Sequence, residues 1–277
     1  MSAPSVNADR PIAVFDSGIG GLTVVSALRR ELPGESIVYL GDTARVPYGG
    51  KSRATIERYS EEIATLLVAE GAKMVVVACN TASALALGRL REVLTVPVEG
   101  VIEPGVEAAL AATRSGHVAV IGTKATVGSR AYADTLKSAR PGIRVTSVAC
   151  PLLVPLVEEA LFDDSITDAV LERYLAPLCE SDADTLVLGC THYPLLSRAI
   201  ARVAGPKITL VDSAANCARV VAGRLEQAGL SASASPRGSL KISFTDSPDK
   251  FLDVVRGALG LEVGTVEVRE VAPLAHG

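Results

Sequence analysis

Two cysteines stand where they could move protons. Cys79 closes the apolar run Met74-Val75-Val76-Val77-Ala78 and is followed by Asn80, Thr81, Ala82 and Ser83. Cys190 closes Thr185-Leu186-Val187-Leu188-Gly189 and is followed by Thr191, His192, Tyr193 and Pro194. Each ends an expected strand at the point where a helix is expected to start. A helix N-terminus offers unpaired N–H groups and a partial positive charge, an environment that lowers a thiol's pKa. The same N–H groups, with the hydroxyls of Thr81 and Thr191 and the amide of Asn80, suit a bound carboxylate. Taken singly, either cysteine also reads as a small buried apolar residue. Two in matching positions suggest a specific reaction. One thiolate removes the proton on a stereogenic carbon, the other thiol delivers a proton to the opposite face, and the roles exchange in reverse.

Such chemistry needs partners that tune protonation. His192, two residues after Cys190, is a candidate on that side. Asp16, at the end of the first expected strand, is a candidate on the other. His117 opens an apolar run and His276 lies in the C-terminal tail, so neither is assigned chemistry. The stretch Asp16-Ser17-Gly18-Ile19-Gly20-Gly21-Leu22-Thr23 fails the dinucleotide fingerprint, because Thr23 stands where the third glycine is required. It is read as a tight strand-to-helix turn whose glycines let a small anionic ligand approach the backbone. Pro47-Tyr48-Gly49-Gly50 reads as a second rigid loop after a strand. Cys150, Cys179 and Cys217 lack a comparable polar setting.

The elements that must position these residues are legible as apolar runs. Ile12–Phe15, Ile37–Leu40, Met74–Ala78, Val118–Ile121, Val145–Ala149, Leu186–Leu188 and Ile208–Val211 read as strands buried on both faces, as in a parallel sheet. Between them lie amphipathic stretches: one from Leu22 to about Leu32, another opened by Ser52 and closed by Gly71. Pro104 and Pro194 are expected at first helical positions. Strand–helix alternation implies βαβ units, and in such α/β sheets ligands bind beyond the carboxyl ends of the strands.

An internal repeat supports pairing the two cysteines. Pro11 to Gly18 resembles His117 to Lys124. Ile37 to Leu40, with Val46-Pro47-Tyr48 beyond it, resembles Val145 to Cys150, with Val154-Pro155-Leu156 beyond it. Met74 to Thr81 resembles Thr185 to His192. The offsets, 106, 108 and 111 residues, follow from the numbering and run in the same order. Two related α/β halves facing each other would place Cys79 and Cys190 on opposite walls of one cleft.

Composition bounds the alternatives. The chain has 277 residues, room for two compact units, and a net charge of −4, which argues against a basic nucleic-acid clamp. Aromatic residues are 4% of the chain with no Trp, so platforms for stacking bases are poorly supplied. No apolar run approaches the roughly 18 residues of a membrane span, and residues 1–10 lack the apolar stretch of a signal peptide. Five scattered cysteines without a CxxC pair speak for a reducing, cytoplasmic compartment and against a zinc ribbon or other metal site.

Four motifs together resemble the bacterial glutamate racemases of the aspartate/glutamate racemase family: Phe15 to Thr23, Pro47-Tyr48-Gly49, Ala78 to Ser83, and Gly189 to Leu196. The match is in order and spacing from about residue 11 to the last helix. The resemblance implies two pseudo-symmetric α/β domains with mainly parallel sheets and the active site between them. Residues 1–101 plus 214–277 would form the first, with residues 1–10 a flexible tail, and residues 102–213 the second. It further implies an isomerase that interconverts L- and D-glutamate without a cofactor and supplies D-glutamate for peptidoglycan, and hence for cell wall biogenesis and cell shape. Cys79 and Cys190 would transfer the proton. Asp16 would assist Cys79, while Glu158 and His192 would assist Cys190. Asp16, Ser17, Pro47, Tyr48, Gly49, Asn80, Thr81, Thr191 and His192 would bind the substrate. The partner expected is the small amino acid, with neither nucleic acid nor membrane; some relatives form homodimers. An aspartate racemase or another racemase of the superfamily would keep both thiols. A non-catalytic amino-acid-binding regulator would keep the cleft, and a thiol hydrolase built on Cys190 would not need Cys79.

Overall fold

A computed structural model describes residues 7–233, 237–247, 252, 257, 259–261 and 266–274, apart from the side chain of Cys179. His276 and residues 1–6 lie outside the described residues. The chain opens with β1 (Ile12–Asp16), α1 (Leu22–Glu31) and β2 (Ile37–Gly41), and continues through α2 (Arg53–Ala69) and β3 (Met74–Val77). Helices α3 (Asn80–Leu85) and α4 (Leu87–Val93) lead to β4 (Val98–Gly100). Then follow α5 (Ile102–Ala112), β5 (His117–Gly122), α6 (Lys124–Gly128), α7 (Ala131–Ala139) and β6 (Arg144–Ala149). Helices α8 (Leu153–Glu158) and α9 (Ser165–Cys179) precede β7 (Thr185–Gly189), α10 (Ser197–Ala204) and β8 (Thr209–Asp212). Helix α11 (Ser213–Gln227) leads back to β9 (Leu240–Phe244) and β10 (Val266–Val268).

These strands form two parallel sheets. The first runs β10-β9-β2-β1-β3-β4, and the second β6-β5-β7-β8. The order β2-β1-β3-β4 is the order β6-β5-β7-β8 again, so the repeat is one of topology as well as sequence. Registers correspond: Ile12 pairs with Ile37 and Met74 in the first sheet, as Val118 pairs with Val145 and Thr185 in the second. The mixed α/β architecture with parallel sheets is the one expected.

All seven expected strands form, with ends shifted by a residue at most. Three more were not expected. Strand β4 has only three residues and follows Pro97; β9 and β10 alternate polar with apolar side chains, β10 at the edge of the sheet and β9 between it and β2. Central strands β1, β3, β5 and β7 are buried along their whole length. The expectation of burial on both faces fails for β6 and β8, the edges of the second sheet, which keep exposed residues. Ser52 caps α2 through the Thr55 N–H, and Gly71 follows it with φ +99°. Pro104 occupies the third position of α5 rather than the first, still within the turn whose N–H groups have no helical acceptor.

One apolar cluster joins the sheets. It holds Ile12, Val14 and Tyr39 of the first together with Ala119, Ile121 and Leu186 of the second. Among the described residues, no helix is long and apolar enough to cross a membrane.

Candidate active site

Cys79 follows β3 after one residue, Ala78, and is the N-cap of α3. Its sulfur accepts the Ala82 N–H at 3.5 Å and donates to Ser17 Oγ at 3.7 Å. Cys190 follows β7 directly, but no α-helix starts there. A short 3₁₀ turn, Tyr193–Leu196, comes first, and α10 begins only at Ser197. Pro194 is the second residue of that turn, not the first of a helix. Both cysteines are buried, 5% and 6% exposed, yet both line one cavity of about 360 Å³.

The walls of this cavity come from both sheets. From the first come Ser17, the turn Pro47-Tyr48-Gly49-Gly50, Cys79, Asn80 and Thr81. From the second come Thr123, Lys124, Pro155, Glu158, Cys190, Thr191 and His192. Every residue singled out from the sequence lines it except Asp16, which is fully buried behind the wall. Asp16 Oδ2 accepts the N–H groups of Gly18 (3.1 Å) and Gly21 (3.0 Å), while Oδ1 has no partner.

Electrostatics departs from the expectation for Cys79. Burial first, and then Asp16, push its thiol up to about 12, against the Ala82 N–H and the Ser17 hydroxyl, which favour the thiolate. A helix N-terminus lowers a thiol's pKa only while water or cations share the charge; here desolvation dominates. Asp16 is itself raised by burial, partly offset by His192 and the backbone N–H groups. His192 moves the other way from what burial alone would give. Burial disfavours the imidazolium, but bonds to Cys190 and Glu158, with the charges of Cys190 and Asp16, raise it to about 10. Its Nδ1 lies 3.8 Å from Cys190 Sγ, and its Nε2 lies 3.5 Å from Glu158 Oε1. His192 is therefore a cation at neutral pH, set between the Cys190 sulfur and a carboxylate.

Polar side chains around the cavity are fixed by second partners. Tyr48 donates to Asp42 Oδ2 at 2.5 Å. Tyr132 on α7 donates to Asn80 Oδ1 at 2.7 Å, which leaves the amide N–H groups of Asn80 for a ligand. Thr81, Thr123 and Thr126 form a ring of hydroxyls across the two halves, with O···O separations of 2.9–3.3 Å. The arrangement supplies two thiols, several hydroxyl and N–H donors and one imidazolium around a space of amino-acid size.

A family model described as Asp/Glu/hydantoin racemase matches residues 22–221. The chain belongs to this racemase family. It is an isomerase by that membership. A glutamate racemase of Geobacter metallireducens is 49% identical over 257 residues, covering 93% of this chain and 95% of that protein. The crystal structure of a glutamate racemase isoform from Bacillus anthracis matches with a TM-score of 0.91 at 38% identity, covering 96% of this chain and 99% of that one. That of Francisella tularensis glutamate racemase in complex with D-glutamate matches with a TM-score of 0.88 at 36% identity, covering 97% and 100%.

Sequence reasoning missed Val46, Gly50, Thr123, Lys124, Pro151, Val154 and Pro155 as lining residues. The repeat carried the signal for several. Thr123 is the mate of Ser17, and Val154 and Pro155 are the mates of Val46 and Pro47. The glycine-rich turn was misread. Only Ser17 of that stretch lines the cavity, and its glycines face protein: a Cβ on Gly21 would lie 2.5 Å from Asp16 Cβ. Cys150 and Cys217 are buried, with sulfurs directed at the carbonyls of Val148 and Gly100. His117 is bonded on both ring nitrogens, to Asp182 Oδ1 (2.6 Å) and Thr146 Oγ1 (2.8 Å), remote from the cavity lining.

Proposed function

We propose that this chain interconverts L- and D-glutamate without a cofactor, by proton transfer between Cys79 and Cys190 across the α-carbon. The observation that carries the reading is the pairing of these thiols, at equivalent ends of equivalent strands, on one cavity. One cysteine, as thiolate, takes the α-hydrogen as a proton. The electron pair of the C–H bond is delocalised into the α-carboxylate. The other cysteine, as thiol, gives its proton to the opposite face and is left as thiolate. Asn80, Thr81, Thr191 and the backbone N–H groups beside them hold the α-carboxylate, whose charge grows in the transition state. The turn Pro47-Tyr48-Gly49, with Ser17, faces the side chain of the substrate.

On this reading Asp16 acts on Cys79 from behind the cavity wall. The His192–Glu158 pair holds a proton next to Cys190, where it supports the thiolate. Residues 1–101 with 214–277 make one domain and 102–213 the other, so each domain supplies one thiol. The product D-glutamate would serve peptidoglycan synthesis in the cytoplasm.

Circular dichroism of D-glutamate, and separately of D-aspartate, incubated with the protein alone is the direct test. Loss of ellipticity with D-glutamate only, together with uptake of solvent deuterium at the α-carbon, is the expected result. Racemisation of D-aspartate instead would favour the aspartate alternative. Binding of glutamate with no change in ellipticity would sink the catalytic reading.

A further inference from the structure

The glycine turn after β1 faces the second half of the molecule. A Cβ on Gly20 would lie 2.5 Å from Thr191 Oγ1, 2.7 Å from His192 Nδ1 and 2.9 Å from His192 Cε1. Gly18, two residues earlier, meets only Val46 Cγ1 at 3.4 Å, an ordinary contact. Gly21 is as tightly placed, but against Asp16 and Tyr39 of its own half; within this turn it is position 20 that closes on the other half, against the very ring that sits between Cys190 and Glu158.

We propose that Gly20 is a positioning residue, whose lack of a side chain lets the Thr191–His192 step seat against the β1 turn and holds the imidazole in line between Cys190 Sγ and Glu158 Oε1. A methyl group there must displace the ring or the threonine hydroxyl, because contacts below 3.0 Å do not persist and the ring is 6% exposed in a packed setting. Displacing reacting groups by about 1 Å is enough to slow catalysis on the order of 10²-fold. The titratable groups facing His192 are Cys190 on its own turn, Glu158 at the end of α8, and Asp16 at the end of β1. Moving the ring from these three weakens what keeps it charged while leaving it buried.

This inference rests on the racemase reading for its kinetic test, and a second readout is independent of turnover. In Gly20→Ala, kcat/KM for glutamate should fall 10- to 100-fold, with the basic limb of its pH profile moved to lower pH. The melting temperature should stay within a few degrees of the parent, because the atoms the methyl meets belong to side chains that line the cavity and can shift into it. In a His192→Ala background the same substitution should slow the residual rate less than it slows the parent, what loss remains coming from Thr191 Oγ1, which still faces the methyl. NMR titration of the His192 ring should show a lower pKa in Gly20→Ala than in the parent, whether or not the parent racemises glutamate. An unmoved pH profile and ring titration, an equal loss in both backgrounds, or global unfolding of Gly20→Ala would each overturn the proposal. A parent protein inert toward glutamate would instead sink the racemase reading, and the ring titration would still decide this one.

Discussion

Cys79 and His192 hold their protons for opposite reasons. At about 12, the buried Cys79 is a thiol throughout the neutral range, and turnover through it needs a base. At about 10, His192 stays cationic beside Cys190 because Cys190, Glu158 and Asp16 outweigh its burial. The two half-sites are thus alike in sulfur and unlike in the group that tunes it: a buried carboxyl, Asp16, behind one, an imidazolium beside the other. Replacing either Cys79 or Cys190 by Ser should lower kcat by roughly 10²–10⁴-fold in both directions, the range for loss of one positioned acid or base; ellipticity assays from each enantiomer read this out, and a rate within tenfold of the parent would refute the two-thiol scheme. In Glu158→Gln the imidazolium loses an anion, so its pKa falls. The basic limb of kcat/KM should then shift to lower pH while the acidic limb stays, and identical profiles would show that Glu158 has no part in holding that proton.

At the scale of elements, the cavity depends on strands being fixed at both ends. Asp184, just before β7, accepts Thr113 Oγ1 and the N–H groups of Arg114 and Ser115, each at 2.7 Å, and so ties the end of α5 to the strand that carries Cys190. Burial works against its charge, but these bonds outweigh it and hold the carboxyl well below its ordinary 3.8. Because the folded value is depressed, the stabilisation is present above the unfolded carboxylate pKa and is lost as pH falls below it. Asp184→Ala should cost about 1–3 kcal/mol at pH 7, and the gap to the parent should narrow in urea melts below about pH 4. A gap that widens on acidification would contradict this. The turn Tyr48–Gly50 is fixed differently, since a Cβ on Gly49 would lie 2.8 Å from Thr123 Cβ. There the glycine serves contact between the halves, as at Gly20.

Across the whole molecule, four separate stretches of chain meet at one buried ion pair. Lys73 Nζ lies 2.5 Å from Glu35 Oε2, donates to Leu230 O at 2.7 Å, and also reaches Ala8 O; Glu35 Oε1 accepts the Ala232 N–H at 2.7 Å. Lys73 is fully buried and Glu35 is 3% exposed. The pair fastens the start of β3 and the turn before β2 to the segments preceding β1 and following α11. Lys73→Met strands a buried carboxylate and should cost about 3–5 kcal/mol, whereas Lys73→Met with Glu35→Leu should recover much of that. Denaturant melts of the single and double variants decide it, and a double variant no more stable than the single would argue against stranding as the cause.

The order of strands, the two halves and the pairing of Cys79 with Cys190 were legible in the sequence, because a buried parallel strand must be a continuous apolar run and a repeat copies such runs at nearly constant offset. Strands β4, β9 and β10 escaped because three-residue strands, and strands that alternate polar with apolar side chains, do not show as continuous apolar runs. Tertiary structure alone decided three things. Cys79 is shielded too well for its helix to acidify it, since desolvation is set by everything packed around a group and not by its own element. Cys190 leads through a turn into a short 3₁₀ segment, where Tyr193 and Pro194 had suggested a helix. And the glycines after β1 make room for protein rather than ligand, Gly21 for Asp16 and Tyr39 and Gly20 for Thr191 and His192 of the other half, packing that no spacing along one chain segment encodes.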